Sequence, residues 1–398
     1  MAKLAFKDLN FIEERDKIKV IFLSFFSFQI GKAELNKISD FTIGNNFINF
    51  KNINEKSARN KFNLLLESGF KGLKSRITGK KAIYVHKNSG IPLIGNSAFG
   101  IIDRDTNIIE VKPITGCNLN CIYCSVDQDK RCAEFVVEEE YLVEELRKVI
   151  EYKECGNIEV HIASQGEPFF YVYLNDLARD ISNITSVKVI SIDTNGTLLT
   201  KKKVDELVKS GLTRFNLSIN SLDAKKSKYI SGTGYNVKHI KEIAEYISNK
   251  CDLLIAPVLL PGINEEDIEE IIRFYKSLKG SKLIGIQNFL EYRFGKNPVR
   301  QLSMDEFYDK LRKLEDKYKI KLIVNKCDFN VIKTKPLPKP FKKKSIIKAR
   351  IICDGRFRNE KIAAADNRAV SVPNCYSSGN VKLKITRDKH NIFFGKII

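Results

Sequence analysis

The chain is predicted to be an α/β protein, a partial (β/α)6 barrel with an uncharacterised N-terminal domain and a small C-terminal β-barrel. Three observations predict this. Six apolar runs alternate with helical periodicity through the middle of the chain, a lysine- and proline-rich stretch then breaks the pattern, and five short strand-like runs follow it. At 398 residues the chain is too long for one ordinary domain. A hydrophobic fraction of 43% with 29% charged residues supplies a core and fits a globular rather than a membrane-embedded protein. The most apolar early run, Val20 to Phe28, is too short for a membrane span and unlike a signal peptide. A cytoplasmic protein with no membrane partner is expected.

Residues 1–95 form the N-terminal basic domain. They hold no cysteine, and between Lys51 and Lys87 ten Lys/Arg face only Glu55 and Glu67. A short amphipathic helix is predicted around Ser57–Leu66, ended by Gly69. No fold follows from the rest.

Residues 100–328 carry the barrel. The apolar runs are Ile108–Ile114, Ile158–Ala163, Val187–Ile192, Phe215–Ile219, Leu253–Leu260 and Leu283–Phe289. Between them lie amphipathic segments with polar caps. One opens at Thr200, carries Val204, Leu207 and Val208, and stops at Gly211. Another opens at Asn264 and places Ile268, Ile271, Ile272, Tyr275 and Leu278 on one face. Six β–α repeats indicate a parallel sheet. Their regularity suits a partial barrel, with a doubly wound sheet as the competing arrangement.

Residues 333–344 read KTKPLPKPFKKK, three prolines and six lysines in twelve positions. Such a stretch forms neither helix nor central strand and is read as a linker. Residues 345–398 then give the runs Ile346–Cys353, Lys361–Ala365, Ala369–Val372, Val381–Ile385 and Asn391–Lys396, the pattern of a small β-barrel. From Lys333 onward 17 Lys/Arg oppose 4 Asp/Glu, a net +13 of the whole-chain +20. A genome-wide lysine bias would not concentrate charge in this way, so an acidic partner, nucleic acid above all, is expected.

The chemistry concentrates at GCNLNCIYCS, Gly116 to Ser125. Nine cysteines, three of them within eight residues, point to metal or redox work rather than disulfides in a reducing compartment. A structural zinc site would want a fourth ligand, and neither Cys132 nor His161 stands at such a spacing. A cubane cluster held by three thiolates leaves one iron open to a small molecule.

The Cys-x3-Cys-x2-Cys spacing, with Tyr123 before the third cysteine, resembles the signature of the radical S-adenosylmethionine superfamily, of the archaeal Fe–S oxidoreductase type. The motif follows the first strand of the repeats, and later strand ends match in order. SQGEP, Ser164 to Pro168, is similar to the family's Gly-Gly-Glu-Pro segment, with Gln165 replacing the first glycine. DTNG ends the third strand, NLSINSLD lies at the fourth and LLPGIN at the fifth. The resemblance covers about 230 residues of the chain. It implies a [4Fe-4S] cluster on Cys117, Cys121 and Cys124, and S-adenosyl-L-methionine held by Tyr123, Gly166, Glu167, Thr194, Asn195, Ser218 and Asn220. Glu167 would meet the methionine ammonium, and Thr194, Asn195, Ser218 and Asn220 the carboxylate or ribose. Reductive cleavage to a 5′-deoxyadenosyl radical, with electrons from ferredoxin or flavodoxin, is the implied activity.

The C-terminal segment resembles a TRAM domain, an OB-related barrel found on RNA-modifying enzymes. It carries KARIICDGRFRNEKIAAADNRAVSVPN and VKLKITRDKHNIFFGKI. Lys382, Lys384, Arg387 and Lys389 are the expected RNA contacts, with Tyr376, Phe393 and Phe394 for stacking. RNA modification, on tRNA or rRNA, is therefore the favoured function. One alternative is an enzyme acting on a protein or small metabolite, its tail only tethering. The other is an RNA-binding Fe–S protein without radical catalysis. Methylthiolation is disfavoured, because no cysteine precedes Cys117. Cys327, Cys353 and Cys375 read as apolar packing thiols rather than carriers.

Overall fold

Between Ala2 and Val85 short apolar–polar alternations are separated by turn residues, so the chain doubles back repeatedly. The computed structural model describes all 398 residues. Eight strands form here: β1 (Ala2–Ala5), β2 (Leu9–Glu13), β3 (Lys17–Phe22), β4 (Phe26–Gly31), β5 (Phe41–Ile43), β6 (Phe47–Phe50), β7 (Lys74–Ser75) and β8 (Lys81–Val85). One sheet has the order β1-β6-β5, while β8-β7-β4-β3-β2 belong to a second. The expected helix is longer than its periodicity suggested, Glu55–Lys71, capped by Asn54 and Gly72. It runs through Gly69 because that glycine leaves room for the Phe28 ring; a Cβ there would lie 2.4 Å from ring carbons.

The central region contributes β9 (Gly100–Asp103), β10 (Ile108–Lys112), β11 (Ala133–Val137), β12 (Ile158–Ile162), β13 (Val187–Thr194), β14 (Arg214–Leu217), β15 (Asp252–Ile255), β16 (Val258–Leu259), β17 (Lys282–Ile284) and β18 (Gln287–Asn288). Seven of these make a sheet of order β17-β15-β14-β13-β12-β10-β9. All pairs are parallel except β9 with β10. Strictly sequential order means every right-handed crossover steps the same way, which places the helices on one face. A doubly wound sheet would reverse its order at a switch point, and none occurs.

The other face explains a second period in the sequence. A parallel sheet covered on both sides reads as continuous apolar residues. Here polar residues alternate instead, and Glu110, Lys112, His161, Asp193, Asn216 and Ser218 line a cavity of about 1240 Å³.

Strand β11 leaves this sheet and pairs in parallel with β8, completing the second N-terminal sheet. An apolar core of 77 residues runs from Ala2 through the central sheet to Ala369. The boundary at residue 95 therefore marks a change of composition and does not separate two bodies.

The last five strands are β19 (Ile346–Asp354), β20 (Lys361–Ala365), β21 (Arg368–Val372), β22 (Gly379–Arg387) and β23 (Phe393–Ile397). They close into a barrel of order β19-β20-β21-β23-β22. Its own nine-residue core includes Val370, Leu383, Ile385 and Phe393. Phe393 packs edge-on against Phe341, with ring centres 5.2 Å apart. It is core and cannot stack on a base, contrary to the sequence expectation.

The lysine–proline stretch has no helix or strand, as its prolines require, yet it is a strap rather than a free linker. Leu337 and Phe341 are buried, and Lys335 pairs with Glu154 at 2.9 Å. The barrel is also seated directly. Ala369 N–H donates to Ile94 O at 2.8 Å and Phe393 N–H to Gly95 O at 2.9 Å. Asn96 Nδ2 bonds Ser371 Oγ at 3.0 Å. Gly95 is required here: with φ +126°, any Cβ would lie 2.0 Å from Ala369 O.

Candidate active site

The loop after β10 carries Cys117, Cys121 and Cys124, and all three sulfur-bearing residues line the large cavity. Close backbone packing fixes the loop on two sides. Gly166 lies so near that a Cβ would meet Gly116 O at 2.4 Å, and a Cβ on Gly232 would meet Asn120 O at 2.2 Å. Asn120 and Ile122 amides also donate to Ser231 O and Ile230 O, at 2.9 and 3.0 Å. Leu119 N–H points at Cys117 Sγ, 3.4 Å away. Burial pushes the Cys117 thiol up to about 12 and Cys121 higher still, the neighbouring sulfurs adding to it.

The donor set suits an iron–sulfur cluster: three soft ligands, no carboxylate among them, facing space rather than one another's partners. The surroundings suit its negative charge. Arg131, 3% exposed, sets Nη2 3.8 Å from Cys124 Sγ, and the guanidinium of Arg356 is equally buried nearby. The Nε of each has no hydrogen-bond partner. These residues therefore fit a cluster bound at Cys117, Cys121 and Cys124.

Glu167 follows β12 and is 1% exposed. Its carboxylate accepts from Asn195 N–H at 2.8 Å, Thr194 Oγ1 at 2.8 Å and Phe169 N–H at 3.2 Å. Burial outweighs these donors and pushes the carboxyl up to about 7. Three donors leave one of roughly four lone-pair positions free, which an ammonium could fill. Thr194 and Gly166 line the cavity beside it.

The other expected cofactor residues divide. Ser218 faces the cavity, and its backbone accepts from the Tyr235 hydroxyl at 2.9 Å. Asn195 lines the cavity too, but its side chain ties the third strand end to the cysteine loop, Nδ2 to Asn118 Oδ1 at 3.1 Å. Asn220 is turned to a structural task. Its amide donates to the Tyr123 hydroxyl at 2.8 Å and accepts from Val258 N–H at 2.8 Å. Both ends are engaged, so Asn220 braces Tyr123 behind the loop.

Of the expected RNA contacts, Lys382, Lys384 and Lys389 are exposed. Arg387 lies apart from them in the cavity wall, with Phe394 and Lys396. Its Nη1 donates to Ile392 O at 3.1 Å. Cys375 is buried in the barrel core and Cys353 half-buried, in keeping with packing roles, whereas Cys327 is exposed.

Sequence reasoning missed the cavity floor and roof. On the floor, His161 Nε2 lies 3.1 Å from Asp193 Oδ2 and Nδ1 2.8 Å from Ser191 Oγ. Ser191 donates its only hydrogen to Glu159 at 2.6 Å, so Nδ1 must carry a proton. Facing the Asp193 carboxylate, Nε2 is favoured to carry one as well, and the site stabilises the charged ring. Burial alone would lower His161, but Asp193 raises it, and the ring in turn holds Asp193, on the cavity surface, below the usual carboxylate range. On the roof, Phe294 and Phe357 stack with centres 3.8 Å apart. The polar alternation in the strands was the signal for the floor. The roof had none, because Phe294 and Phe357 come from distant segments.

The comparisons with known proteins agree with this geometry. The family model described as Radical SAM superfamily matches residues 111–275, from β10 into the helix after β16. An uncharacterized protein of Methanocaldococcus jannaschii is 40% identical over 370 residues, 84% of this chain and 85% of that protein. A protein of Archaeoglobus fulgidus named "Probable GTP 3′,8-cyclase" is 29% identical over 207 residues, 51% of this chain and 64% of the cyclase. Among solved structures, SuiB of Streptococcus suis bound to precursor peptide SuiA covers 80% of this chain and 71% of its own, with 14% identity and a TM-score of 0.43. No helix is long and apolar enough to cross a membrane.

Proposed function

The chain belongs to the radical SAM superfamily, and from that premise we propose that it modifies RNA, tRNA or rRNA, at a nucleoside brought into the cavity. When bound, the superfamily's [4Fe-4S] cluster and S-adenosylmethionine would supply radical chemistry at the substrate. Cys117, Cys121 and Cys124 would hold the cluster. Glu167 receives the methionine ammonium on its remaining lone pair, and Ser218 offers a hydroxyl from the opposite strand end. The stacked Phe294 and Phe357 exclude water from one side.

One observation carries the RNA reading. Lys396 lines the cavity and lies opposite Lys384 on the neighbouring strand. Two residues on, Lys382 shares that face and pairs with Lys348. All four are exposed. At roughly 5 Å between strands and 7 Å between alternate residues, this patch spans roughly 12 Å from the cavity wall outward. That suits several backbone phosphates of a strand entering it. A barrel that only tethered would leave Arg387, Phe394 and Lys396 in the cavity wall without a purpose.

The test is anaerobic turnover of reconstituted protein with S-adenosylmethionine and reductant. Bulk tRNA or rRNA should stimulate 5′-deoxyadenosine formation and give one nucleoside of shifted mass. Formation indifferent to RNA would direct the reading to a protein or metabolite substrate.

A further inference from the structure

Gln165 stands where the family resemblance expects glycine, and nothing in the proposed reaction uses it. The structure gives it a partner 191 residues away. Arg356, on the turn between β19 and β20 of the C-terminal barrel, bonds the Gln165 side chain through Nη1. Its Nη2 donates to Gln165 O at 2.7 Å and to Thr115 O at 3.4 Å. Gln165 directly precedes Gly166 and Glu167, and Thr115 precedes Gly116 and Cys117. One guanidinium thus grips both backbones that frame the cofactor site.

The turn that delivers it is fixed. Glu360 accepts from Arg356 N–H at 2.9 Å and Phe357 N–H at 3.1 Å. Gly355 permits the fold-back, since a Cβ there would lie 2.4 Å from Glu360 Cγ. The turn docks on the residues just past the cysteines: Cys132 N–H donates to Arg356 O at 2.7 Å, and Phe357 stacks on Phe294.

The charges need an explanation as well. Arg131 donates to the same Thr115 carbonyl at 3.1 Å, so two buried guanidiniums crowd one oxygen. Burial and Arg131 pull Arg356 down to about 9. Of the buried carboxylates beside them, Glu134 is engaged by the Thr115 hydroxyl at 2.6 Å and Glu360 by the amides of its own turn. Two buried cations whose neighbouring carboxylates already accept other hydrogen bonds favour further negative charge, which three thiolates bearing a cluster would provide.

We propose that the C-terminal barrel completes the cofactor site, with Arg356 as a positioning residue that aligns the cysteine loop with the Gln165–Glu167 strand end and offsets the cluster's charge. It rests on the superfamily assignment and not on the RNA reading.

The test uses anaerobically reconstituted full-length protein, without RNA or turnover. Iron content, the cluster's midpoint potential by EPR-monitored titration, and S-adenosylmethionine affinity are measured for R356Q, R356K and Q165A. A cation near the cluster favours the more negative, reduced state. R356Q should therefore shift the potential downward and weaken S-adenosylmethionine binding about tenfold. R356K keeps the charge without the fork, so it should hold the potential while still losing affinity. Q165A should also weaken binding with the potential unmoved. Should R356Q fail to assemble a cluster, R356K and Q165A decide by the same two readouts. Unchanged affinity in both, or a potential that shifts as far in R356K as in R356Q, would overturn the proposal.

Discussion

Glu167 couples function to stability in a way that can be measured without substrate. Its carboxyl is pushed from 4.5 to about 7 by burial, against the donors of Asn195, Thr194 and Phe169. Between those two values the folded protein keeps the proton and the unfolded chain releases it. Stability is therefore full below 4.5, falls as pH rises toward 7, and is flat above. The shift of about 2.5 units amounts to about 3 kcal/mol at alkaline pH. In E167Q this dependence disappears, because an amide does not titrate. The amide also turns an NH2 toward one of the three donors, a cost of about 1–3 kcal/mol at every pH. The variant should be the less stable protein at pH 5, and the gap should narrow by about 2–3 kcal/mol at pH 8. Urea unfolding of cluster-free protein at both pH values reads this directly. Curves for wild type and E167Q that stay parallel between pH 5 and 8 would refute the reasoning. The functional counterpart has the opposite sense. Wild-type affinity for S-adenosylmethionine should rise as pH passes through 7 and the carboxylate forms. E167Q should lose about ten- to a hundredfold, read by calorimetric titration.

G166A should lose iron after reconstitution, since the new Cβ would meet Gly116 O and Thr115 C, at 2.4 and 2.6 Å; G156A, with nothing within 4 Å, is the control, and equal iron in both would count against the close-packing argument. Lys153 and Asp103 form a fully buried ion pair at 2.7 Å. K153M leaves the carboxylate alone and should cost about 3–5 kcal/mol in denaturant unfolding; a loss below about 1 kcal/mol would mean the pair is solvated. The double variant K382E/K384E should flatten the dependence of log RNA affinity on log salt by about 1.4, at about 0.7 per phosphate contact. An unchanged slope in anisotropy titrations would remove the lysine row from the RNA path.

What was legible in the sequence was what local period encodes. All the strands of the central sheet except β9, and the five barrel strands, fall within a few residues of their predicted runs, because side-chain alternation and turn residues act over short distances. The ends of β10, β12, β13 and β14 converge because parallel strands in sequential order bring their C-terminal ends together. Long-range pairs were invisible. The β8–β11 pairing joins segments about fifty residues apart, and Arg356 meets Gln165 across 191. The strap was half legible: its prolines rule out regular structure, while Leu337 and Phe341, apolar among lysines and prolines, were the sign that it is docked. Asn220 shows the limit of motif transfer. A polar residue at the right strand end can carry a bracing task that its motif does not announce.

The cysteine loop begins at the end of β10, in the central sheet, and ends at β11, in the N-terminal sheet. It is suspended between two sheets like a span between two piers. A protein cut to begin at residue 96 would strip β11 of β8, its partner in the sheet, and weaken that end of the span. The N-terminal ninety-five residues, for all that they contain no cysteine, belong to the cofactor's scaffold. During synthesis their sheet gains its last strand only after the three cysteines have emerged, so the loop closes as the two halves of the molecule join.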